Sequence, residues 1–388
     1  MTAASAIEGI REHDPTGSIL VVSRENHPPY RRPPLSKDLW FGKANLDQIS
    51  IHDDGFYRAR GVEVVLRREI VELAPSDHEV WDDHGERYEY DRLLLATGSR
   101  PRLLDAVNAN IEGVHYFRSL EDYLALRDRL RIVQHVLVLG GGFISIELAA
   151  AIRHSGAEVT FVYPREFPLH RVLPRELGLY VADYYRQRGI ETLSNDAAAS
   201  FDSRQGLISV TTRAGNSITT QLVVAGVGVE PSVDLAEAAG LEVGNGVAVD
   251  EYARTTEPGV WAAGDVAEFP YLALEERTRI EHWDHAEHHG RAAGANMAGA
   301  NRPYDHLPMF WSDFFDLGWE AVGDIDSGLD VDAVWKEPFK QGMLFYMRED
   351  VIRGVLLWNV WEKVEWAREL IRSRKPSTHT ERQAWLDG

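Results

Sequence analysis

Two patterns of apolar residues alternate along this chain. Residues 2–13 carry Ala3, Ala4, Ile7 and Ile10 along one side of a 3.6-residue period, which predicts a helix. Asp14-Pro15-Thr16-Gly17 reads as its stop and turn. Ile19-Leu20-Val21-Val22 is a short continuous apolar run, the pattern of a strand buried on both faces of a parallel sheet. A proline-rich loop spans Pro28 to Pro34. Val62-Glu63-Val64-Val65 and the alternating segments up to Tyr90 then predict an antiparallel excursion. Arg92 to Gly98 is an apolar strand ending in a glycine turn.

The pattern then restarts. Val136 to Leu139 predicts a buried strand, Gly140-Gly141-Gly142 a turn and Ile144 to Ile152 a helix. Gly156 ends the helix and Val159 to Tyr163 predicts the next strand, completing a βαβ unit. Leu222 to Ala225 and Val260 to Ala263 predict strands that stop at Gly226 and Gly264. Beyond Pro303, Trp-rich alternating segments lead to an amphipathic helix from about Trp361 to Arg372, which together suggest a small α+β domain.

The length of 388 residues suggests two or three domains, at ~150 residues each. A chain that is 44% hydrophobic and 26% charged is not a disordered one. The absence of cysteine excludes disulfides, thiolate metal sites, iron–sulfur ligation and a catalytic thiol, so any redox chemistry must belong to a cofactor. The 41 basic and 61 acidic residues leave a net charge of −20, which argues against nonspecific nucleic-acid binding. No stretch approaches the ~18 consecutive apolar residues of a membrane span. The start lacks a basic segment before an apolar run, so no signal peptide is expected and a cytoplasmic protein is.

The sharpest local signal is Gly140-x-Gly142-x-x-Ser145 between a predicted strand and a predicted helix. The first glycine permits the tight turn, the second lets backbone approach a pyrophosphate, and the third position needs a small side chain for helix–strand packing. The pyrophosphate would sit on the free N–H groups at the helix N-terminus. The second strand ends Tyr163-Pro164-Arg165-Glu166. Glu166 suits a ribose 2′-hydroxyl and leans the choice to NADH, while Arg165 suits a 2′-phosphate and keeps NADPH open.

Several further strings complete a pattern: Pro29-Tyr30-Arg31-Arg32-Pro33-Pro34-Leu35-Ser36-Lys37, Leu95 to Pro101, Gly226-Val227-Gly228-Val229-Glu230-Pro231, Val260 to Asp265, and Phe310-Trp311-Ser312-Asp313. With these the chain resembles the two-dinucleotide-fold flavoprotein reductases, most closely the apoptosis-inducing-factor-like proteins and the ferredoxin and rubredoxin reductases. The resemblance covers essentially the whole chain. It implies an α/β fold with two Rossmann-like domains of the glutathione-reductase type and a small α+β C-terminal domain. The FAD domain would be 1–115 and 245–303, the NAD(P) domain 116–244, and the C-terminal domain, of a kind used in dimers, 304–388. A homodimer is left open.

The resemblance also implies site residues. FAD would be bound by Glu25, Arg32, Lys37, Thr97, Gly98, Arg118, Asp265, His282, Trp283 and Trp311, and NAD(P) by Gly140, Gly142, Ser145, Glu147, Arg165, Glu166, Gly228 and Glu320. Lys37 matches the lysine near flavin N5 and Glu147 the acid that pairs with it; these two are the expected catalytic residues. A buried ammonium there would stabilise negative charge on reduced flavin, and the carboxylate would orient it. His282, His285 and His289 recur along one helical face, as a metal site would need, but without the HExxH context they are read as no metal site. Instead the helix beginning at His282 would turn its positive end to the flavin.

Two departures qualify the resemblance. Without cysteine there is no dithiol relay, so electrons must leave directly from flavin. Thr2-Ala3-Ala4 resembles the end of the first GxGxxA fingerprint, but its strand and two leading glycines are absent from this sequence, which predicts a poorly held FAD. The expected function is an FAD-dependent NAD(P)H oxidoreductase passing hydride to flavin N5 and electrons to a ferredoxin- or rubredoxin-like protein, a quinone or oxygen. The alternatives are a slow NAD(H)-binding redox sensor and a truncated nucleotide-binding paralogue. Arg368, Arg372, Arg374 and Lys375 are the candidate basic patch for an acidic partner.

Overall fold

The computed structural model describes residues 1–105 and 111–387; the stretch 106–110, inside the expected 1–115 segment, lies outside the described residues. The chain forms two compact units. One comprises Met1–Arg31, Leu46–Arg100 and Glu230–Pro308; the other comprises Arg32–Asn45, Pro101–Val229 and Met309–Gly388. The second unit therefore takes in 116–229 of the expected nicotinamide stretch, 309–388 of the C-terminal stretch and the short loop carrying Lys37, while 230–244 fall in the first unit.

In the second unit a five-stranded parallel sheet has the spatial order Ile190–Leu193, Glu158–Val162, His135–Leu139, Leu222–Ala225, Val114–Tyr116. The apolar run Val136 to Leu139 is at its centre, paired with Glu158–Val162 on one side and Leu222–Ala225 on the other. That explains why all four residues are buried. An antiparallel three-stranded layer, Ala198–Arg204, Leu207–Thr212 and Ser217–Thr220, supplies Ile208 and Val210 to the same core. The crossover helix Phe143–His154 is buried along most of its length, as its run of Ile, Leu and Ala requires.

The Trp-rich tail forms a five-stranded antiparallel sheet ordered Met309–Phe314, Leu317–Gly323, Val351–Trp358, Gln341–Arg348, Asp330–Glu337. Trp319 and Trp358 face each other across adjacent strands with no exposure. The helix expected from Trp361 begins only at Val364, with Lys363 as its cap, and Trp361 is exposed.

In the first unit the helix Thr2–His13 and the strand Ile19–Ser23 fall where the pattern predicts. The strand's burial does not. It pairs in parallel with Val62–Leu66 alone, and Leu20 is 41% exposed. A second parallel pair joins Leu93–Leu95 to Val260–Ala262. Among the described residues no strand bridges the two pairs, so an apolar run that resembles a central strand stays half-covered. Val62–Leu66 also corrects the antiparallel expectation: alternation reports a half-buried face, not strand direction. The antiparallel excursion is confined to Ile70–Ala74, Glu79–Asp82 and Arg87–Glu89.

Helix Thr2–His13 lies against helix Trp283–Met297 at backbone contact. A Cβ on Gly9 would stand 2.0 Å from the Arg291 carbonyl oxygen, and one on Gly294 would stand 2.1 Å from that of Ala6. Neither acceptor can move without shifting a helix. Gly294→Ala is therefore expected to lower folding stability by about 1–3 kcal/mol, despite alanine's better helix propensity. Denaturant unfolding of the two proteins checks this; an equal or higher midpoint would show that the helices separate freely.

Candidate functional site

The nucleotide loop of the second unit is built as its spacing requires. Gly140 has φ +110°, and a Cβ there would lie 2.2 Å from the Gly226 carbonyl oxygen. Gly142 caps helix Phe143–His154 without a side-chain cap, and a Cβ on it would meet nothing within 4 Å. The first helical N–H groups thus face an open cradle suited to a pyrophosphate. Ser145 is buried, and its Oγ donates to the Gly226 carbonyl at 2.8 Å. It packs the helix onto the sheet beside the glycine loop.

At the end of the second strand, Glu166 is held in a fork by Arg175, whose Nε donates to Oε2 at 2.9 Å and Nη2 to Oε1 at 2.5 Å. These bonds keep the Glu166 carboxyl below its ordinary range. Arg165 is exposed beside it. Arg175 was not foreseen, because no spacing rule links it to the strand end. Gly228 adopts φ +104°, and its carbonyl accepts from the Arg102 backbone N–H at 3.0 Å.

One turn into the same helix stands Glu147, 4% exposed. Its Oε1 lies 3.2 Å from Lys37 Nζ, and Lys37 is itself buried. Ser36 Oγ donates to Glu147 Oε2 at 2.5 Å and Ser312 Oγ to Oε1 at 2.7 Å. Lys37 Nζ also donates to the Trp311 carbonyl at 3.0 Å and stands 4.8 Å from the Trp311 ring centroid. The structure brings Lys37, Glu147 and Trp311 together; the sequence reading named these three but missed the roles of Ser36 and Ser312, which both sit inside quoted strings. Trp311 pairs across the sheet with Glu320, whose carboxyl is pushed up by burial and then by Asp313. Arg32 also belongs to this unit, with Nη1 donating to the Arg118 carbonyl at 2.8 Å.

The first unit carries the other residues expected at FAD. Asp265 follows strand Val260–Ala262, is 8% exposed and accepts from Ser99 Oγ at 3.0 Å. A nearly buried carboxylate on a tight turn is an acceptor set suited to sugar-alcohol hydroxyls. Thr97 Oγ1 donates to the Ser232 carbonyl at 2.8 Å, Gly98 has φ +67°, and Glu25 accepts from the Tyr30 hydroxyl at 2.5 Å. His282 caps helix Trp283–Met297 rather than lying on its face. His285 and His289 are fully buried against Phe269 and Tyr304. His289 Nδ1 accepts from the Gly264 N–H at 3.3 Å, so it holds the Asp265 turn from behind.

A different trio, Asp284, His288 and His306, has ligand-capable atoms within 4.8 Å of one another. Its closest contact is the hydrogen bond between His306 Nε2 and Asp284 Oδ2 at 2.6 Å. The proposed basic patch loses one member: Arg368 is buried and bonded to Glu365, while Arg372, Arg374 and Lys375 are exposed. Among the described residues no helix is long and apolar enough to cross a membrane.

Comparison with known proteins accords with this geometry. The chain belongs to the pyridine nucleotide-disulphide oxidoreductase family, whose model matches residues 2–290. A second model, the C-terminal domain of mitochondrion-associated apoptosis-inducing factor, matches 293–338 and 331–373. The chain is 34% identical over 327 residues to the ferredoxin–NAD(+) reductase component of an anthranilate 1,2-dioxygenase system from Burkholderia cepacia, covering 84% of this chain and 80% of that one. It is 30% identical to apoptosis-inducing factor 1 of Dictyostelium discoideum over 96% of this chain and 77% of that one. A ferredoxin reductase structure from Rhodopseudomonas palustris superposes with a TM-score of 0.92 at 30% identity, covering 98% of this chain and 95% of that one. A putidaredoxin reductase–putidaredoxin complex gives 0.91 at 26% identity, covering 100% and 97%. The protein is an FAD-dependent NAD(P)H oxidoreductase.

Burial pushes the His289 imidazole down to about 3 and the His285 ring well below its ordinary value. Both are neutral in the folded protein and take up protons readily once unfolded. Their contribution is complete above about pH 6.5 and is lost as pH falls toward 3. Folding stability is therefore expected to drop between about pH 7 and about pH 5, above the carboxylate range, and His289→Asn should flatten that drop. Denaturant midpoints across this interval measure it; an unchanged slope in His289→Asn would contradict the account.

Proposed function

We propose that this oxidoreductase passes electrons to a small iron–sulfur protein, with Lys37 and Glu147 as the catalytic pair that serves hydride transfer from nicotinamide to flavin N5. The observation that carries the reading is the buried ion pair of Lys37 with Glu147 at 3.2 Å, on the helix that opens at the nucleotide loop. Support for the acceptor comes from relatives named as ferredoxin reductases and from the putidaredoxin reductase–putidaredoxin complex. In this reading residues 1–115 and 245–303 serve FAD, 116–244 serve NAD(P), and 304–388 form the C-terminal domain. The cytoplasm, where NAD(P)H is supplied, is the proposed compartment.

The flavin supplies the two-electron chemistry; the chain supplies position and charge. The Gly140–Gly142 cradle with Gly228 would hold the nicotinamide nucleotide, with Glu320 toward its ring. The Asp265 turn would hold the ribityl chain, with Glu25, Arg32, Thr97, Gly98, Arg118, His282, Trp283 and Trp311 completing the flavin set. Lys37 would present its ammonium to the flavin, fixed by Glu147. Glu166, held ionised by Arg175, favours a ribose hydroxyl over a 2′-phosphate and so NADH over NADPH.

Two measurements test this. In anaerobic mixing with NADH, Glu147→Ala is expected to bleach its flavin about 10- to 100-fold more slowly while retaining FAD, since the carboxylate orients reacting groups. Unchanged reduction kinetics would remove Glu147 from the mechanism. Steady-state kcat/KM should favour NADH, and Glu166→Ala should erode that preference about tenfold. A preference for NADPH that disappears in Arg165→Ala would reverse the nucleotide assignment. Rapid flavin reduction with poor turnover on a ferredoxin, a rubredoxin, a quinone and oxygen alike would favour the sensor reading, to which the apoptosis-inducing-factor match lends support.

A further inference from the structure

Glu147 receives three donors from two distant stretches of chain. Ser36 and Lys37 are consecutive residues, and so are Trp311 and Ser312. The first pair gives Glu147 a hydroxyl on Oε2 and an ammonium on Oε1; the second gives it a hydroxyl on Oε1 and gives Lys37 a carbonyl acceptor. Both serines are buried, Ser312 completely. Ser36 Oγ has a second acceptor, the Pro33 carbonyl, but at 3.5 Å against 2.5 Å to the carboxylate.

A lone buried ion pair leaves its carboxylate under-solvated and able to swing between rotamers. Here each carboxylate oxygen is fixed by a separate hydroxyl. Charge-assisted bonds of this kind are the strong ones, and one on each oxygen holds the group at both ends. The Lys37–Trp311 bonds do not involve either hydroxyl, so removing one serine loosens Glu147 while leaving those contacts in place.

We propose that Ser312 and Ser36 are positioning residues that lock the Glu147 carboxylate, and through it the Lys37 ammonium, in the orientation hydride transfer needs. The proposal rests on the reading of Lys37 and Glu147 as the catalytic pair. It is expected that Ser312→Ala and Ser36→Ala each slow flavin reduction at saturating NADH about five- to tenfold, less than the full worth of one charge-assisted hydrogen bond because the other hydroxyl and Lys37 still hold the carboxylate. FAD content and the Kd for NADH should not change. In a Glu147→Gln background the further loss from Ser312→Ala should fall below about twofold, because residues acting through one group are non-additive.

A second readout does not depend on turnover. The chain has few lysines, namely Lys37, Lys43, Lys336, Lys340, Lys363 and Lys375, so the Lys37 ammonium can be assigned in lysine-labelled NMR spectra. Its protons should exchange with water several-fold faster in Ser312→Ala than in wild type. Equal exchange and equal reduction rates would overturn the proposal. So would a Ser312→Ala effect that persists undiminished in Glu147→Gln. If wild-type flavin is reduced by neither NADH nor NADPH, the catalytic reading fails instead, and the exchange experiment still decides whether the serines hold the pair.

Discussion

Burying a charge is the constraint around which the second unit is organised. A carboxylate and an ammonium removed from water cost several kcal/mol each, and their attraction offsets this only when the remaining hydrogen-bonding capacity is used. Glu147 and Lys37 meet that condition with contributions from three places in the sequence: the loop at 36–37, the helix Phe143–His154 and the strand Met309–Phe314. The requirement explains why the short segment Arg32–Asn45 belongs to the same compact unit as the nucleotide loop and the C-terminal sheet. A hydrophobic pair would fill the same space with less to satisfy, so its presence points to a chemical use.

The two units show how much a sheet's completeness governs burial. His135–Leu139 and Ile19–Ser23 are similar apolar strands, each close to a helix in sequence. The first has a parallel partner on both sides and four buried residues; the second has one partner and an exposed Leu20. The difference lies in the neighbours, not in the strand. The first unit gains cohesion elsewhere, from two helices in backbone contact through Gly9 and Gly294 and from the buried His285, His289, Phe269 and Tyr304.

Much of this was legible in the sequence because it rests on short-range rules. Gly140, Gly142 and Ser145 are separated by the spacing of a turn into a helix, and the structure places each where that geometry needs it. Lys37 and Glu147 were found by the strings around them, not by any spacing between them. What escaped were contacts that no spacing rule links: Ser36 and Ser312 on one carboxylate, Arg175 on Glu166, and His306 on Asp284. Strand direction at Val62 and exposure at Leu20 escaped for the same reason, since periodicity records which face is apolar and not what covers it. Arg368 shows the converse, a charge read as surface whose side chain is bound to Glu365.

The central claim is that the buried pair exists for catalysis and not for stability. Replacing both partners together, as Lys37→Met with Glu147→Leu, separates these roles, because removing one alone strands a buried charge. Unfolding and anaerobic flavin reduction by NADH would be measured on the same preparation. The account predicts a folded double variant, less stable only by the roughly 1–3 kcal/mol that each stranded partner among Ser36, Ser312 and the Trp311 carbonyl costs, that holds FAD and reduces it at least about a hundredfold more slowly. A double variant that reduces its flavin at the wild-type rate would contradict it.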